Sequence, residues 1–183
     1  MSKQNSTKQQ IRKQIMAQLS ALTDQEKNLE SVTMLEKITD FIHASPEIKR
    51  VASYAAMPFE MNLDALESQL SEVSFCYPKC GKNGQMEFYS VSDLSELKTS
   101  SHGIREPDEF LHQRIDPEAI DLFLCPACAY TQEGERLGKG GGYYDRYLLR
   151  KRSDAITLGV VFSSQILAHV PTEAHDLRVD RVL

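Results

Sequence analysis

The chain has 183 residues, of which 41% are hydrophobic and 26% charged, a composition typical of a folded globular protein. Its 21 Lys and Arg residues against 26 Asp and Glu residues give a net charge of −5, which argues against a general nucleic-acid binder or a protein adsorbed to anionic membranes. No apolar run is long enough to span a bilayer, and the N-terminus lacks the apolar core of a secretory signal. We therefore expect a cytoplasmic monomer, without nucleic-acid or membrane partners.

The N-terminal quarter is predicted to form two amphipathic helices. Between residues 8 and 22, apolar residues recur at steps of four, four and three, which places them on one helix face. Thr23-x-x-Glu26 is a capping box, and it predicts a second helix that ends before Pro46. The buried face of this second helix is predicted to include Leu29, Val32, Met34 or Leu35, Ile38 and Ile42.

Strand-like runs alternate with helical and polar segments in the remaining chain. The hydrophobic pattern predicts strands over 50–56, 73–77, 86–91, 121–126 and 156–162. Short helices are predicted over 62–70 and 143–151, whereas the polar stretch 92–116 is predicted to be a loop. Strands that alternate with helices indicate a mainly parallel sheet covered on both faces. The length predicts a single domain over residues 1–183, with the helical pair 8–44 packed on its α/β core.

The four cysteines form two closely spaced pairs, Cys76-x3-Cys80 and Cys125-x2-Cys128. Such spacing in a chain without an export signal suggests a zinc site before it suggests disulfides. Each pair nevertheless has a proline between its members and begins inside an apolar strand-like run. Because free cysteine is often a small buried hydrophobe, we favour a packing role.

A glycine-rich segment lies between a predicted strand and a predicted helix. Five of the nine glycines fall between Gly134 and Gly142. Without Cβ atoms, such a backbone can turn its N–H groups toward an anion, and Arg136 and Lys139 add positive charge. The segment lacks the third glycine of the dinucleotide fingerprint and the Gly-Lys-Ser/Thr of a P-loop. The alternatives are a flexible turn and a phosphate-binding loop of another kind.

The run Arg136-Leu-Gly-Lys-Gly-Gly-Gly-Tyr-Tyr-Asp145 resembles the signature of the 5-formyltetrahydrofolate cyclo-ligases, also called methenyltetrahydrofolate synthetases. Weaker elements of the same family occur in the same order along nearly the whole chain: Lys8-Gln-Gln-Ile-Arg12, Met57-Pro-Phe-Glu60, Gly103-Ile-Arg-Glu-Pro107 and His175-Asp-Leu-Arg-Val-Asp180. Five positions depart from the pattern. Phe59, Leu63 and Arg105 stand where the family usually has Gly, Thr and Pro, and Cys125 and Cys128 stand where small aliphatic residues are usual.

The resemblance implies a Rossmann-like three-layer α/β fold and a ligase that uses ATP and Mg²⁺. Such an enzyme converts 5-formyltetrahydrofolate to 5,10-methenyltetrahydrofolate and releases ADP and phosphate. The formamide carbonyl is a poor electrophile, so phosphorylation of its oxygen would create a leaving group before N10 closes the ring. Two other readings stay open: an ATP-dependent phosphotransferase acting on another small substrate, and a folate- or nucleotide-binding protein without turnover.

The resemblance also assigns site residues. Arg136 and Lys139 would stabilise the transferring phosphoryl group, while Asp145 and Asp176 would hold Mg²⁺. Substrate would be bound by Ala55, Glu60, Lys139, Gly140, Gly141, Gly142 and Tyr143. ATP would be bound by Lys8, Gln9, Gln10, Ile11 and Arg12, and by Arg136, Leu137, Gly138, Lys139, Gly140, Gly141, Gly142, Tyr143 and Tyr144.

Overall fold

The computed structural model describes residues 3–100, 103–173 and 176–183. Its helices are α1 (Lys3–Ala21), α2 (Asp24–His43), α3 (Leu66–Gln69) and α4 (Tyr143–Tyr147), the last extended by a 3-10 turn at Leu148–Arg150. The strands are β1 (Arg50–Ala52), β2 (Ser74–Cys80), β3 (Met86–Ser90), β4 (Lys98–Thr99), β5 (Arg105–Glu106), β6 (Arg114–Ile115), β7 (Leu122–Pro126), β8 (Ala129–Tyr130), β9 (Arg136–Leu137), β10 (Ile156–Val160) and β11 (Arg181–Val182).

A seven-stranded sheet in the order β11-β10-β7-β1-β2-β3-β6 forms the centre of the molecule. The four pairings from β11 to β2 are parallel, and the two that join β2 to β3 and β3 to β6 are antiparallel. Strands β4 and β5 form one small antiparallel pair, and β8 and β9 form another. The sheet is therefore mainly parallel, as the alternating sequence pattern predicts.

Side chains alternate between the two faces of the central strands and enter two separate cores. Val51 and Leu124 face the layer formed by α1 and α2, where they meet Ile15 and Ile38. The side chains next to Val51 and Leu124 along their strands point to the opposite face of the sheet, toward α4 and the 3-10 turn after it. There Phe123 packs with Phe88 and Tyr147, at centroid distances of 6.1 and 6.2 Å. Helices thus cover both faces, which confirms the predicted Rossmann-like three-layer α/β fold.

Helix α2 begins as its capping box predicts. The Thr23 hydroxyl accepts a hydrogen bond from the Glu26 backbone N–H at 3.2 Å, and the Glu26 carboxylate accepts one from the Thr23 backbone N–H at 2.7 Å. The predicted inward positions of Leu29 and Val32 are wrong, because these side chains are 68% and 52% exposed. The predicted burial of Met34 or Leu35, Ile38 and Ile42 is confirmed, and both alternatives are buried, together with Ser31.

The structure also corrects one predicted loop and the length of one strand, and it contains two short strands that were not predicted. The polar stretch 92–116 contains β4 and β5 and supplies β6, the edge strand of the main sheet. The two-residue strands β8 and β9 were not predicted either, since so short a strand depends on its partner more than on its own pattern. Strand β1 ends at Ala52, so residues 53–56 leave the sheet earlier than predicted. None of the helices in the described ranges is long and apolar enough to cross a membrane.

Candidate active site

Two cavities lie at the carboxyl ends of the parallel strands, where open α/β sheets bind their ligands. The first, which we call the apolar cavity, has a volume of about 210 Å³. It is lined by Tyr54, Ala55, Met57, Glu60, Pro78, Cys80, Met86, Ile104, Arg105, Pro126, Arg136, Gly138, Lys139, Gly141, Gly142, Tyr143 and Tyr144. The second, the charged cavity, has a volume of about 420 Å³. It is lined by Lys8, Arg12, Arg136, Leu137, Gly138, Gly140, Gly141, Gly142, Asp145, Arg146, Leu149, Glu173 and Asp176.

The glycine-rich loop between β9 and α4 separates the two cavities and lines both. Gly138, Gly141, Gly142 and the side chain of Arg136 border each of them. Gly142 has φ = +63° just before α4 begins, a conformation that glycine adopts without strain. The loop therefore forms a thin partition, across which a ligand in one cavity lies next to a ligand in the other.

Helix α1 closes the charged cavity through two basic side chains, four residues apart on one helix face. Lys8 Nζ lies 2.6 Å from Asp176 Oδ2 and 3.1 Å from Glu173 Oε1. Burial alone would lower the pKa of Lys8, but its hydrogen bonds to Asp176 and Glu173 raise the pKa above its ordinary value. Arg12 Nε donates to the Gly138 carbonyl at 2.9 Å. Arg12 thus brings a positive charge beside the glycine loop, whereas the charge of Lys8 is balanced by two carboxylates of the same cavity.

Arg136 is buried between the cavities and forms an ion pair with Asp145. Its NH1 atom lies 3.1 Å from Asp145 Oδ1, and its NH2 group donates to the Pro126 carbonyl at 3.4 Å. Burial disfavours its charge, yet electrostatic interactions with Tyr130 and Asp145 raise the pKa of Arg136 above its ordinary value. The guanidinium therefore stays charged at the loop that both cavities share.

Glu60 and Lys139 join the two sides of the apolar cavity. Lys139 Nζ lies 2.5 Å from Glu60 Oε1, and Glu60 Oε2 accepts a hydrogen bond from the Met57 backbone N–H at 2.9 Å. The Glu60 side chain is 7% exposed, so its carboxylate is a buried acceptor at the wall of the cavity. A buried carboxylate of this kind is suited to a ligand that presents N–H groups.

The structure brings most of the predicted site residues to the cavities. The exceptions lie in α1, where Gln9 and Gln10 are exposed and Ile11 packs against the core. Tyr144, predicted for ATP, lines the apolar cavity, whereas Gly140, predicted for both ligands, lines the charged one. Asp145 and Asp176 both line the charged cavity. His175, which opens the last family element, lies outside the described residues.

Several lining residues were not predicted. Tyr54 follows β1 at the carboxyl edge of the sheet, and Glu173 comes three residues before Asp176, so chain position gave a signal for both. Arg146 is one residue beyond the glycine signature and hydrogen bonds to the Gly84 carbonyl at 3.1 Å. Met86 and Ile104 carry no local signal, because only the packing of distant segments brings them to the cavity.

Three of the departures from the family pattern, at residues 59, 63 and 105, lie in different surroundings. Phe59 does not line the apolar cavity; its ring lies 5.9 Å from Lys27 Nζ of α2, on the side of the helical layer. Leu63 is buried in the core of that layer. Arg105 does line the cavity and is held by both oxygens of Asp64, at 2.9 and 2.8 Å. Phe59, which stands where the family usually has Gly, therefore does not fill the apolar cavity.

The fold and these cavities define an α/β protein whose glycine-rich loop borders a charged cavity and an apolar cavity. The sequence matches the 5-formyltetrahydrofolate cyclo-ligase family over residues 4–183. It is 25% identical to 5-formyltetrahydrofolate cyclo-ligase of Mus musculus, over 98% of this chain and 94% of that protein. The chain belongs to the 5-formyltetrahydrofolate cyclo-ligase family.

Solved structures agree with this assignment. A 5,10-methenyltetrahydrofolate synthetase from Mycoplasma pneumoniae superimposes with a TM-score of 0.80 and 25% identity, covering 96% of each chain. The NMR structure of the Aquifex aeolicus 5,10-methenyltetrahydrofolate synthetase superimposes with a TM-score of 0.78 and 32% identity, covering 96% of this chain and 88% of that one. The similarity therefore extends over sequence and fold together.

Proposed function

We propose that this protein converts 5-formyltetrahydrofolate to 5,10-methenyltetrahydrofolate, with ATP consumed and ADP and phosphate released. The observation that supports this most directly is the partition: one glycine loop, with Arg136 at its base, borders both cavities. Transfer of a phosphoryl group between two bound ligands needs the donor and the acceptor on adjoining sites with positive charge between them. Family membership then supplies the identity of the two ligands.

The charged cavity is the proposed site for the triphosphate of ATP. Arg12 and Arg146 line this cavity, and Lys8 and Arg136 add cations that are paired with its carboxylates. The glycine loop lines the same space. Cationic side chains and backbone N–H groups together stabilise phosphate oxygens. Gln9, Gln10 and Ile11 would support this site only through the helix backbone that positions Lys8 and Arg12.

Asp145 and Asp176 are the proposed Mg²⁺ ligands in the charged cavity. No cluster of three or more His, Cys, Asp or Glu side chains that could hold a metal occurs in the part of the chain that the structure describes. Mg²⁺ at phosphate sites commonly takes only one or two carboxylates and completes its shell with phosphate oxygens and water. Two carboxylates beside a phosphate cradle fit that pattern. When bound, the metal would neutralise charge on the phosphates.

The apolar cavity is the proposed site for the folate. Glu60 would accept hydrogen bonds from the N–H groups of the pterin ring, and Lys139 and the glycine loop would border the formyl group. The formyl oxygen then attacks the γ-phosphorus, and ADP leaves. N10 then attacks the formyl carbon and loses its proton. The former formyl oxygen leaves with the phosphoryl group as inorganic phosphate. Lys139 and Arg136 would stabilise charge on the transferring group.

The remaining properties follow from the same assignment. We propose that residues 1–183 act as one domain, because α1 contributes to the charged cavity while packing on the sheet. The small-molecule partners would be 5-formyltetrahydrofolate and ATP, without nucleic acid or membrane. A cytoplasmic monomer is the proposed form of the protein.

The test is a turnover assay on the full chain. Purified protein is mixed with 5-formyltetrahydrofolate, ATP and Mg²⁺, and the absorbance band of the conjugated methenyl product is followed, with parallel reactions that omit ATP or Mg²⁺. We expect product only in the complete mixture. Binding of both ligands without product would instead support a non-catalytic binding protein. ATP hydrolysis stimulated by another small molecule, without methenyl product, would support a different phosphotransferase.

A further inference from the structure

Two residues that line the apolar cavity have buried phenol hydroxyls without a hydrogen-bond partner among the described residues. They are Tyr54, which is 3% exposed, and Tyr144, which is 8% exposed. Both side chains line the apolar cavity. A buried hydroxyl without a partner carries the full cost of its lost hydration, so native proteins seldom keep one without a reason. Here the shared location in a ligand cavity supplies a reason.

The surroundings of the two hydroxyls make both of them hydrogen-bond donors. Burial, followed by the charge of Glu60, raises the pKa of Tyr54 well above its ordinary value. Burial, followed by electrostatic interactions with Cys125 and Glu60, raises the pKa of Tyr144 in the same direction. Both phenols therefore keep their protons at neutral pH. The ring of Tyr144 is held by the Arg136 guanidinium, 5.2 Å from its centroid.

These groups match the polar atoms of a formylated tetrahydropterin. The bicyclic part of that molecule has two carbonyl oxygens, at C4 and on the formyl group at N5, and these lie on neighbouring positions of the ring system. It also has N–H donors on its amino-pyrimidine edge. The cavity offers two phenol donors and, in Glu60, one buried acceptor. The two phenols without a partner therefore equal the two carbonyl oxygens in number, and Glu60 offers an acceptor to the N–H edge.

We propose that Tyr54 and Tyr144 are substrate-binding residues whose hydroxyls donate hydrogen bonds to the two carbonyl oxygens of the formyltetrahydropterin, while Glu60 accepts from its N–H groups. The proposal rests on the proposed function and names the groups that recognise its substrate. It assigns a role to Tyr54, which the glycine signature does not contain, and it moves Tyr144 from the nucleotide to the folate.

The test uses the phenylalanine variants Tyr54→Phe and Tyr144→Phe, which remove one oxygen and keep the ring. Each is expected to raise the KM for 5-formyltetrahydrofolate about three- to tenfold, the effect of one net hydrogen bond, and to leave the KM for ATP unchanged. The apparent Tm without ligands should stay the same or rise, because an unpaired buried hydroxyl is removed. A residue with a purely structural role would not separate the two KM values.

Tyr147→Phe is the matched control. Tyr147 is also buried and its hydroxyl also lacks a partner in the described ranges, but it lies outside the apolar cavity. Its KM values should match those of the unmodified chain. Unchanged KM for formyltetrahydrofolate in both Tyr54→Phe and Tyr144→Phe, with active unmodified protein, would overturn the proposal. If the unmodified chain neither binds nor converts 5-formyltetrahydrofolate, the proposed function itself fails, and the assignment of these hydroxyls to that ligand fails with it.

Discussion

At the residue scale, the ion pair between Lys139 and Glu60 joins the two roles predicted for Lys139. Lys139 was predicted both to stabilise the phosphoryl group and to bind substrate, and Glu60 to bind substrate; their charged atoms lie 2.5 Å apart. Glu60 is buried, and a buried carboxylate is costly without a cationic or N–H partner. Lys139 is 42% exposed and belongs to the loop between the cavities, so one lysine can balance Glu60 and still reach a phosphoryl group.

Replacement of Lys139 tests this dual role. We expect Lys139→Ala to lower kcat about 10²- to 10³-fold, because a charge that stabilises the transition state is lost. Lys98→Ala is the matched control, since Lys98 forms an exposed ion pair with Asp108 at 2.7 Å on a small outer strand. Initial rates of methenyl formation measure the effect, and circular dichroism checks the fold. Equal rates for the two variants would remove Lys139 from the catalytic assignment.

Asp145 has a structural role beside its proposed metal role, because it is the partner of the buried Arg136. Asp145→Ala would leave a buried guanidinium without its counter-charge, at a cost of about 3 kcal/mol or more in the free energy of unfolding. Asp145→Asn keeps a hydrogen-bond acceptor for Arg136 but removes the carboxylate. We expect Asp145→Ala to lose both turnover and thermal stability, and Asp145→Asn to lose turnover with a smaller fall in Tm. Similar Tm values for both variants would contradict the structural role.

At the element scale, the cap of α2 positions a helix that forms much of the layer on one face of the sheet. The backbone N–H and hydroxyl of Thr23 hydrogen bond to the Glu26 carboxylate and lower the pKa of Glu26 below its ordinary value of 4.5. A carboxyl whose pKa is lower in the folded state stabilises that state above pH 4.5. This contribution is lost as the pH falls through the lowered pKa.

Thr23→Ala should destabilise the protein by about 1 kcal/mol at neutral pH through loss of the cap. For a chain of this length the corresponding fall in Tm is about 2–4 °C. Thr33→Ala is the control, because Thr33 is exposed within α2 and its hydroxyl only bonds back to the Leu29 carbonyl at 3.1 Å. Thermal unfolding at pH 7 and pH 4 measures both effects. The difference between wild type and Thr23→Ala should shrink at the lower pH; a difference independent of pH would contradict the capping box.

At the scale of the whole molecule, the site depends on segments that are far apart in the chain. Helix α1 near the N-terminus meets Glu173 and Asp176 near the C-terminus through Lys8. The glycine-rich loop, which lies between these segments in the sequence, separates the two cavities. A ligand in the charged cavity would therefore contact both ends of the chain. Ligand binding should therefore increase the free energy of unfolding of the whole protein, since the unfolded chain has no such site.

We expect each ligand to stabilise the protein against heat. At about 100 times its Kd, a ligand adds about 2.7 kcal/mol to the free energy of unfolding, which for this length corresponds to an increase of about 5–10 °C in Tm. ADP with Mg²⁺ and 5-formyltetrahydrofolate should each raise Tm, and together they should raise it further because they occupy different cavities. Adenosine serves as the control without phosphates. An equal shift with adenosine and ADP would contradict phosphate binding in the charged cavity.

The sequence by itself determined the layer pattern, the cap of α2, the glycine loop and the family. These features are local: a capping box, a two-residue alternation and a run of glycines each act over a few neighbouring positions. The tertiary structure alone decided which side of the loop each residue faces. It placed Tyr144 at the apolar cavity, brought Tyr54 and Met86 to the same cavity, and joined Lys139 to Glu60. Such contacts arise where distant strands end at one edge of a sheet, and sequence spacing does not encode those distances.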